Sequence, residues 1–447
     1  MLYFFIGIAG SGMSAIAQYL KGKGHDVCGS DRIFSKPEGQ DTKQKLEKLG
    51  IACHIQGETL PSPQTDFVVI STAIEDTVYE YAGAKKMGLK IIHRSDLLAE
   101  ICNQNYTIAV SGTSGKSTTT AMIYCILEKN GMSPSLISGA GLSELQKQGL
   151  IGNASVGKSS YLVIEADESD GTITKYKPQV GIILNIDKDH KEISELIPLF
   201  QTFKDNTQKA LITNLDNNRS AALSIGNDFS CKLVSNNQAV DLTESISGIS
   251  FYNKGTKFEI PIAGLYNVEN AMAAITVARV LGITDKNIAF ALKQYQGIYR
   301  RFTILKQKNG ITIIDDYAHN PAKITASITS AQKLSKRVLA WFQPHGFAPS
   351  KLIKNELIAT LTNILRDDDQ IFFSKIYYAG GTADKTISAQ EFAHAIALNG
   401  KKAFYIPERD DFAKQIVKIA QSRDIILLMG ARDPSLADFA KDICELL

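Results

Sequence analysis

The sequence of 447 residues lacks an excess of charge of either sign. Its 49 lysines and arginines face 46 aspartates and glutamates, which leaves a formal net charge of +3. Proteins that hold nucleic acid by bulk charge carry a large basic excess, although local basic clusters around phosphates are compatible with this balance. We therefore expect no nucleic-acid partner.

Long hydrophobic runs are also lacking, because none approaches the roughly 18 residues of a membrane span. The N-terminal segment 1–17 is apolar enough to resemble a signal peptide, but it has no basic start and its glycines follow a phosphate-loop pattern. A first β-strand fits that segment better. The sequence predicts no membrane association and a cytoplasmic location.

Closely spaced cysteines are absent as well. Scattered cysteines without a CxxC pair are typical of free thiols in a reducing compartment, which disfavours a structural zinc site or a disulfide framework. The six cysteines are Cys28, Cys53, Cys102, Cys125, Cys231 and Cys444.

The length predicts about three domains, because a single hydrophobic core rarely extends over so many residues. Short apolar runs alternate with helical periodicity, which indicates parallel sheets covered by helices and hence the α/β class. We place the boundaries at 1–102, 103–296 and 297–447, with an antiparallel excursion near 233–255. The predicted strands lie at 3–8, 26–30, 67–71 and 90–92; at 106–111, 161–165, 180–184 and 210–213; and at 311–315, 338–342, 370–374, 402–406 and 425–429.

The strongest motif is VSGTSGKSTTT, which begins at Val110 between a predicted strand and a predicted helix. Gly112 and Gly115 allow backbone N–H groups to turn toward phosphate oxygens. Lys116 adds a cation, and Ser117 offers a hydroxyl to Mg²⁺. Val110 stands where the usual phosphate loop has its first glycine, so this loop is a shortened variant.

A second glycine loop, GIAGSGM, begins at Gly7 and also joins a predicted strand to a helix. Such a loop alone is weak evidence for a nucleotide site, and Asp31 at the end of the next strand fits a ribose-binding position. A dinucleotide oxidoreductase is one interpretation. The later phosphate loop argues against it, since a dehydrogenase has no use for one.

Acidic segments follow two other predicted strands. EADESD begins at Glu165 and NIDKDH ends at His190. Both segments therefore lie at the carboxyl ends of the strands, where α/β proteins bind ligands. Oxygen ligands beside a phosphate loop favour one or two Mg²⁺ ions. Taken alone, His190 is equally compatible with an ordinary surface histidine.

In this order, these motifs resemble the Mur ligase family. So do GLYNVENAMAA at 264–274, RRF at 300–302 and DDYAHNP at 315–321. The chain is most similar to the branch that joins L-alanine to UDP-N-acetylmuramate, which also includes the recycling ligase that attaches a tripeptide. The resemblance implies a Rossmann-like N-terminal domain that binds the UDP substrate, a P-loop-type central ATPase domain and a Rossmann-like C-terminal domain that binds the amine.

The resemblance also implies residue roles. ATP would contact Gly112, Thr113, Ser114, Gly115, Lys116, Ser117, Thr118, Asn267, Asn270, Arg301 and Asp316. Mg²⁺ would be held by Ser117, Glu165 and His190, and the catalytic set would be Lys116, Glu165, His190 and His319. Substrate contacts would come from Gly10, Ser11, Gly12, Asp31, Ser71, Thr72, Ser169, His345 and Arg432.

Three departures from the family pattern are present. Tyr266 replaces the usual histidine before the adenine-binding asparagine, and Lys204 lies one residue out of register with a lysine that some relatives carbamylate, so we expect it unmodified. Gly346 and Pro349 stand where the alanine-adding branch has arginines that hold the amine substrate. Neither residue can form the bidentate hydrogen bonds that an arginine makes to a carboxylate. We suggest that Arg432 supplies the missing positive charge.

The implied reaction is ATP-dependent formation of an amide bond through an acyl phosphate, with L-alanine as the favoured amine. One alternative is a paralogue that ligates a peptide or another amine to UDP-N-acetylmuramate during cell-wall recycling. Another is a non-catalytic regulator that binds the UDP-sugar and ATP. A monomer or a homodimer is expected.

Overall fold

The computed structural model describes residues 1–188, 191–230, 239–378, 385–433 and 435–447. Two compact units are present. Unit 1 comprises Met1–Thr243, Ile249–Pro261 and Tyr266–Ile298, and unit 2 comprises Glu244–Gly248, Ile262–Leu265 and Tyr299–Leu447. Both units are built on parallel sheets with helices between the strands, which confirms the predicted α/β class. The boundaries at 102 and 296 stay a prediction.

The first sheet of unit 1 is parallel, with strand order β3-β2-β1-β4-β5. Three of the four connections between consecutive strands contain a helix, whereas β3 is joined to β4 by a loop. Its elements are β1 (Leu2–Ile6), α1 (Ser11–Gly22), β2 (Asp26–Asp31), α2 (Gln40–Lys48), β3 (Ala52–Ile55), β4 (Phe67–Ile70), α3 (Tyr79–Lys86), β5 (Ile91–His93) and α4 (Arg94–Asn103).

The second sheet of unit 1 has the order β11-β10-β6-β9-β7-β8 and is parallel except for its last strand, β8. Its inner strands are buried, which is why they are continuous apolar runs in the sequence. The elements are β6 (Tyr106–Ser111), α5 (Lys116–Lys129), β7 (Ser135–Ile137), α6 (Ser143–Lys147), β8 (Ala154–Ser155), β9 (Tyr161–Glu165), β10 (Val180–Ile183), α7 (Ile193–Asn206), β11 (Ala210–Thr213) and α8 (Asn218–Ala221).

A small sheet and two helices follow in the chain. The sheet order is β12-β13-β14, and the pairing of β13 with β14 is antiparallel, in agreement with the predicted antiparallel excursion. Residues 231–238 of that excursion lie outside the described residues. The elements are β12 (Val240–Ser245), β13 (Gly248–Asn253), β14 (Thr256–Ile260), α9 (Tyr266–Val280) and α10 (Asp285–Leu292).

The sheet of unit 2 has the order β15-β16-β20-β17-β18-β19, and only the pairing of β15 with β16 is antiparallel among these strands. Apolar clusters cover both of its faces. Its elements are β15 (Thr303–Lys308), β16 (Ile311–Asp316), α11 (Pro321–Leu334), β17 (Arg337–Gln343), α12 (Phe347–Ile364), β18 (Gln370–Phe373), α13 (Ala389–Leu398), β19 (Lys402–Tyr405), α14 (Arg409–Ile419), β20 (Asp424–Gly430) and α15 (Leu436–Leu446).

Helix α1 joins the two large sheets of unit 1. It packs on β2 of the first sheet and on β7 and β8 of the second, and one apolar cluster runs through both parts. The buried Asn153 Nδ2 donates to the Ser11 carbonyl at 2.7 Å and to Ser14 Oγ at 2.9 Å, while Gln18 Nε2 donates to Asn153 Oδ1 at 2.9 Å. The second sheet therefore fixes the start of α1, where the first glycine loop ends.

Strand β15 and helix α7 are two elements that the sequence pattern does not predict. Strand β15 is a polar edge strand in which the Leu305-to-Lys308 stretch shows little apolar alternation, and α7 contains Pro198, a residue that usually argues against a helix. Free thiols, as predicted, are found at Cys28, Cys53, Cys102, Cys125 and Cys444. Cys231 lies outside the described residues. Within the described ranges, no helix has the length and apolar character needed to cross a bilayer.

Candidate active site

The motif at Val110 forms a tight loop between β6 and α5. Gly112 has φ 135° and Gly115 has φ 82°, a left-handed region that side chains rarely adopt. Gly115 also leaves no room for a side chain, because a Cβ there would lie 2.3 Å from Asn270 Oδ1. The backbone thus follows the predicted path and presents the N-terminus of a 14-residue helix, a favourable position for phosphate.

Asn185, the first residue of the NIDKDH segment, stabilises this loop through hydrogen bonds. Its Oδ1 accepts from Thr113 Oγ1 at 2.9 Å and from the Ser114 N–H at 2.8 Å, and its Nδ2 donates to the Ser114 carbonyl at 3.2 Å. The Asp187 N–H donates to Thr113 Oγ1 at 3.1 Å. The loop is therefore held in shape by the neighbouring strand end, and Asn185 is a positioning residue that the motifs alone do not reveal.

Lys116 is embedded among carboxylates. Its Nζ donates to the Gly112 carbonyl and to Glu168 Oε2, both at 2.8 Å, and lies 3.7 Å from Asp167 Oδ1. Burial acts to lower the pKa of Lys116, but attraction to Glu168 and Asp167 outweighs it, so the pKa lies above its ordinary value. Lys116 is a cation at neutral pH, as a phosphate-binding lysine must be.

Ser117 and Glu165 come together as predicted for a metal site. Ser117 Oγ donates to Glu165 Oε2 at 3.0 Å. The other carboxylate oxygen is fixed by Ser138 Oγ at 2.5 Å and by the Gly139 N–H at 2.9 Å, which orients Oε2 toward the loop. A hydroxyl and one carboxylate beside a phosphate site fit Mg²⁺, which is commonly held by one or two carboxylates plus phosphate.

His190, the third predicted metal ligand, lies outside the described residues. Among the described residues, no group of three or more histidine, cysteine, aspartate or glutamate side chains could hold a metal by itself. The fit to Mg²⁺ therefore rests on Ser117 and Glu165.

The two predicted adenine-contacting residues lie on α9 against the phosphate loop. Thr119 Oγ1 donates to Asn270 Oδ1 at 3.3 Å, and Asn270 Nδ2 donates to Asn267 Oδ1 at 3.2 Å. Both asparagines are buried, whereas Tyr266, which replaces the usual histidine, is exposed. The structure thus brings α9 beside the start of α5, and a direct contact with adenine stays a prediction.

The first glycine loop is stabilised by hydrogen bonds to Asp31. Asp31 accepts from the Ala9 N–H at 2.9 Å and from the Ile33 N–H at 3.0 Å, so each of its carboxylate oxygens holds a backbone group. Gly10 precedes α1 without a side-chain cap, and the first turn of α1 carries no acidic residue. Ser11 and Gly12 begin that helix. The start of α1 is therefore a favourable position for an anion, while substrate contacts by this loop and by Asp31 stay predictions.

The other predicted substrate residues of unit 1 lie in loops. Ser71 is half-buried directly after β4, and Thr72 is exposed. Ser169 lies in the EADESD loop, where its N–H donates to Asp167 Oδ1 at 3.1 Å. No contact among the described residues tests their predicted roles. Thr118 is half-buried in the first turn of α5.

In unit 2, the RRF segment and the end of β16 form one cluster. Arg300 Nε donates to Asp315 Oδ2 at 2.9 Å, and the Arg301 guanidinium lies 5.3 Å from the centre of the Tyr317 ring. Asp316 accepts from Ser327 Oγ at 2.6 Å, and burial raises the pKa of this carboxyl. Asp316 thus links the end of β16 to α11, and nucleotide binding by Arg301 and Asp316 stays a prediction.

His319 and His345 face each other at the carboxyl edge of this sheet, with ring centres 5.5 Å apart. His319 Nδ1 lies 2.9 Å from the Tyr317 carbonyl, which can only accept, so Nδ1 carries the proton and Nε2 keeps its lone pair. Burial lowers the pKa of His319 to about 4. Burial and the charge of Arg432 also lower the pKa of His345. Strands β17 and β20 pair at Gln343 and Gly430, so His345 and exposed Arg432 each lie two residues beyond neighbouring strand ends.

A cavity of about 660 Å³ opens beside these residues within unit 2. Tyr377 of the cavity lining contacts the segment around His345. Its N–H donates to the Pro344 carbonyl at 2.8 Å and its carbonyl accepts from the Gly346 N–H at 2.8 Å. The cavity lining is polar and ion-paired, and it includes Gln343, Lys375, Tyr377, Tyr378, Glu408, Arg409, Lys414 and Asp433. Its size lies in the range of pockets for ligands larger than a single small amino acid, about 300 to 1,000 Å³.

Comparison with known proteins agrees with this geometry. Models of the Mur ligase family catalytic domain, the Mur ligase middle domain and the Mur ligase glutamate ligase domain match residues 3–106, 110–278 and 300–432. A UDP-N-acetylmuramate–L-alanine ligase of Pelotomaculum thermopropionicum is 37% identical over 96% of this chain and 94% of its own length. Another, of Acaryochloris marina, is 33% identical over 96% and 92%.

A crystal structure of the UDP-N-acetylmuramate–alanine ligase of Thermotoga maritima has the same fold, with a TM-score of 0.80 at 24% identity over 100% of this chain and 98% of that one. These matches confirm the resemblance drawn from the motifs, the three-domain α/β fold and the prediction of an ATP-dependent ligase. By sequence and by fold, the chain belongs to the Mur ligase family.

Proposed function

We propose that this enzyme joins the lactyl carboxylate of UDP-N-acetylmuramate to the amino group of an amino acid, with L-alanine first among the candidates, in cell-wall synthesis in the cytoplasm. ATP is the co-substrate. The observation that supports this most directly is the contact of Ser117 with Glu165 beside a charged Lys116, in a chain similar over nearly its whole length to ligases of that name.

The chemistry follows from the low reactivity of a carboxylate. A carboxylate oxygen attacks the γ-phosphorus of ATP, the bond to the ADP oxygen breaks, and an acyl phosphate forms. The amine nitrogen then attacks the acyl carbon and loses a proton as inorganic phosphate leaves. Lys116, held by the Gly112 carbonyl and Glu168, supplies positive charge where two anions must meet.

Ser117 and Glu165 would hold Mg²⁺ next to the phosphates, with His190 as the further predicted ligand. When bound, the ion neutralises phosphate charge during transfer. Ser138 and Gly139 support that role, because they fix Oε1 of Glu165 and leave Oε2 directed at Ser117. Glu165 is thereby oriented before the nucleotide binds.

In unit 2, His319 is suited to receive the amine. Its pKa of about 4 keeps the ring neutral at pH 7, and its Nε2 lone pair can accept a hydrogen bond from an ammonium or amino group. Arg432, exposed beside His345, is suited to a carboxylate. Together they present an acceptor and a cation to a zwitterionic amino acid.

A peptide or a larger amine is the second candidate. Gly346, with φ 71°, precedes α12 and Pro349 lies in the first turn of that helix, and neither provides the charge that an arginine pair would give. The adjoining 660 Å³ cavity offers more space than L-alanine requires. These two features favour an amine with an extended polar portion.

The deciding experiment measures phosphate release with UDP-N-acetylmuramate and ATP in the presence of L-alanine, other amino acids or an L-alanyl-γ-D-glutamyl tripeptide. Turnover with L-alanine alone supports the first candidate, and turnover with the tripeptide alone supports the second. Lack of turnover with every amine contradicts both and favours a non-catalytic regulator. Sedimentation of the same preparation distinguishes a monomer from a homodimer.

A further inference from the structure

Arg94, the first residue of α4, lies directly against the first glycine loop. A Cβ built on Gly12 would come within 2.6 Å of Arg94 Nη1. Gly12 is not among the residues with positive φ, so its backbone does not itself require glycine. A side chain at this position would meet the guanidinium group and displace it from the loop. The loop and Arg94 are therefore fitted to each other although they lie far apart in the sequence.

The guanidinium group is held in place from the other side. Arg94 Nη2 donates to Asp170 Oδ2 at 3.0 Å, and the two side chains are only 27% and 25% exposed. The second oxygen of Asp170 accepts from the Thr172 N–H at 3.0 Å, which fixes the carboxylate. A guanidinium has five N–H donors. Within the described chain, the Asp170 contact accounts for the hydrogen bonding of Arg94, so most of its donors stay available beside the loop.

The first loop itself, residues 7–13, contains no charged side chain. The start of α1 offers N–H groups and a helix dipole, with Gly10 as an N-cap that has no side chain and no acidic residue in the first turn. Asp31, the neighbouring carboxylate, is engaged by the Ala9 and Ile33 N–H groups. A nucleoside diphosphate at this loop would carry two negative phosphates, and Arg94 is the cation placed against it.

We infer that Arg94 is a substrate-binding residue that contacts the diphosphate of the UDP-sugar at the first glycine loop, with Asp170 as the residue that positions it. This inference rests on the proposed function, because it takes the UDP-sugar as the ligand of that loop. Guanidinium donors suit phosphate oxygens in charge and in geometry. Gly12 keeps open the space that the guanidinium needs.

A purely structural ion pair between α4 and the EADESD loop would give the same Arg94–Asp170 distance, so the test must separate the two roles. The chain provides a matched control. Lys175 Nζ lies 2.5 Å from Asp96 Oδ1, and this pair joins the same helix α4 to the 3₁₀-helix Thr172–Lys175, which follows the EADESD loop. Removal of Lys175 thus breaks a similar ion pair without touching the glycine loop.

The experiment measures binding of UDP-N-acetylmuramate to the full chain by titration calorimetry for the wild type and for Arg94→Ala, Arg94→Lys and Lys175→Ala. Loss of a hydrogen-bonded charge contact is expected to weaken binding by Arg94→Ala on the order of ten-fold to a hundred-fold. Arg94→Lys should recover part of that loss, because it keeps the charge but not the fork of donors. Lys175→Ala should bind as the wild type does.

Gly12→Ala tests the same contact from the other partner. Because the added methyl group would clash with the movable end of a side chain, the variant is expected to fold, to displace the guanidinium and to weaken UDP-N-acetylmuramate binding. The inference about Arg94 is wrong if Arg94→Ala binds as tightly as the wild type or loses no more affinity than Lys175→Ala. That result would leave the proposed function intact. A wild-type protein that binds no UDP-N-acetylmuramate overturns the proposed function together with this inference.

Discussion

Glu269 is the side chain whose ionisation should make the stability of unit 1 depend on pH. It lies on α9, half-buried, and accepts from Asn214 Nδ2 at 2.5 Å and from the Asn185 side chain. Burial, together with the negative charge of Asp216, raises the pKa of Glu269 from 4.5 to about 7, although the two asparagine hydrogen bonds oppose that shift. The folded protein therefore keeps this proton where the unfolded chain has lost it.

The sign and the size of the effect follow from that difference. The contribution of the protonated carboxyl is fully present below pH 4.5, declines as the pH rises and is lost above about pH 7. At about 1.4 kcal/mol for each pKa unit, the free energy of unfolding should fall by roughly 2 to 3 kcal/mol between pH 5 and pH 8 through this group.

Glu269→Gln isolates the effect, because an amide keeps an acceptor for Asn214 and does not ionise. The variant should gain stability over the wild type as the pH rises, with the gain at pH 8 exceeding that at pH 5 by roughly 2 to 3 kcal/mol. The measurement is urea unfolding at both pH values, followed through the transition of unit 1.

Glu259→Gln is the matched control. Glu259 is exposed, and hydrogen bonds from Lys293 and Lys257 lower its pKa, so its replacement should bring no gain between pH 5 and pH 8. Equal stabilisation by Glu269→Gln at both pH values would refute the reasoning, since a change in packing or hydrogen bonding that does not involve ionisation has no such pH dependence.

Three further predictions concern the proposed reaction. Lys116→Ala should lower the rate of phosphate release by at least about a hundred-fold, because it removes the cation beside Glu168, and single-turnover kinetics would show whether phosphoryl transfer itself is slowed. Gly115→Ala should weaken ATP binding and lower the melting temperature, because φ is 82° there and a Cβ would meet Asn270, and an unchanged ATP affinity would contradict this. Arg432→Ala should raise the KM for the amine while leaving the KM for ATP unchanged, and an unaltered amine KM would remove Arg432 from the site.

Interactions local to a motif can be predicted from the sequence. The phosphate loop lies between β6 and α5 as predicted, because an apolar run, two glycines and a lysine before a helical pattern leave few other folds for that stretch. The meeting of Ser117 with Glu165 is likewise predictable, since carboxyl ends of neighbouring parallel strands share one edge.

Interactions set by packing cannot be predicted in this way. Gly12 and Arg94 lie close together at the starts of α1 and α4. The sequence pattern of neither helix indicates that the two residues meet. The sequence predicts that Asp31 contacts the UDP substrate, and that contact stays a prediction. The hydrogen bonds that its two oxygens accept from the Ala9 and Ile33 N–H groups could not be predicted from the motif, because they depend on the path of the neighbouring loop.

The EADESD loop contacts a cation at each of the two glycine loops of unit 1. At one end Glu168 bonds to Lys116 of the second loop, and at the other Asp170 bonds to Arg94 beside the first. Each of these two cations is thus paired with a carboxylate from the same short segment, which lowers the electrostatic cost of holding partly buried positive charge. On the proposed function, phosphates at either loop compete with those carboxylates for the same cations. The proposal therefore makes the affinity of each loop for its nucleotide depend on the acidic residues of this segment as directly as on the glycines and the lysine of the motif.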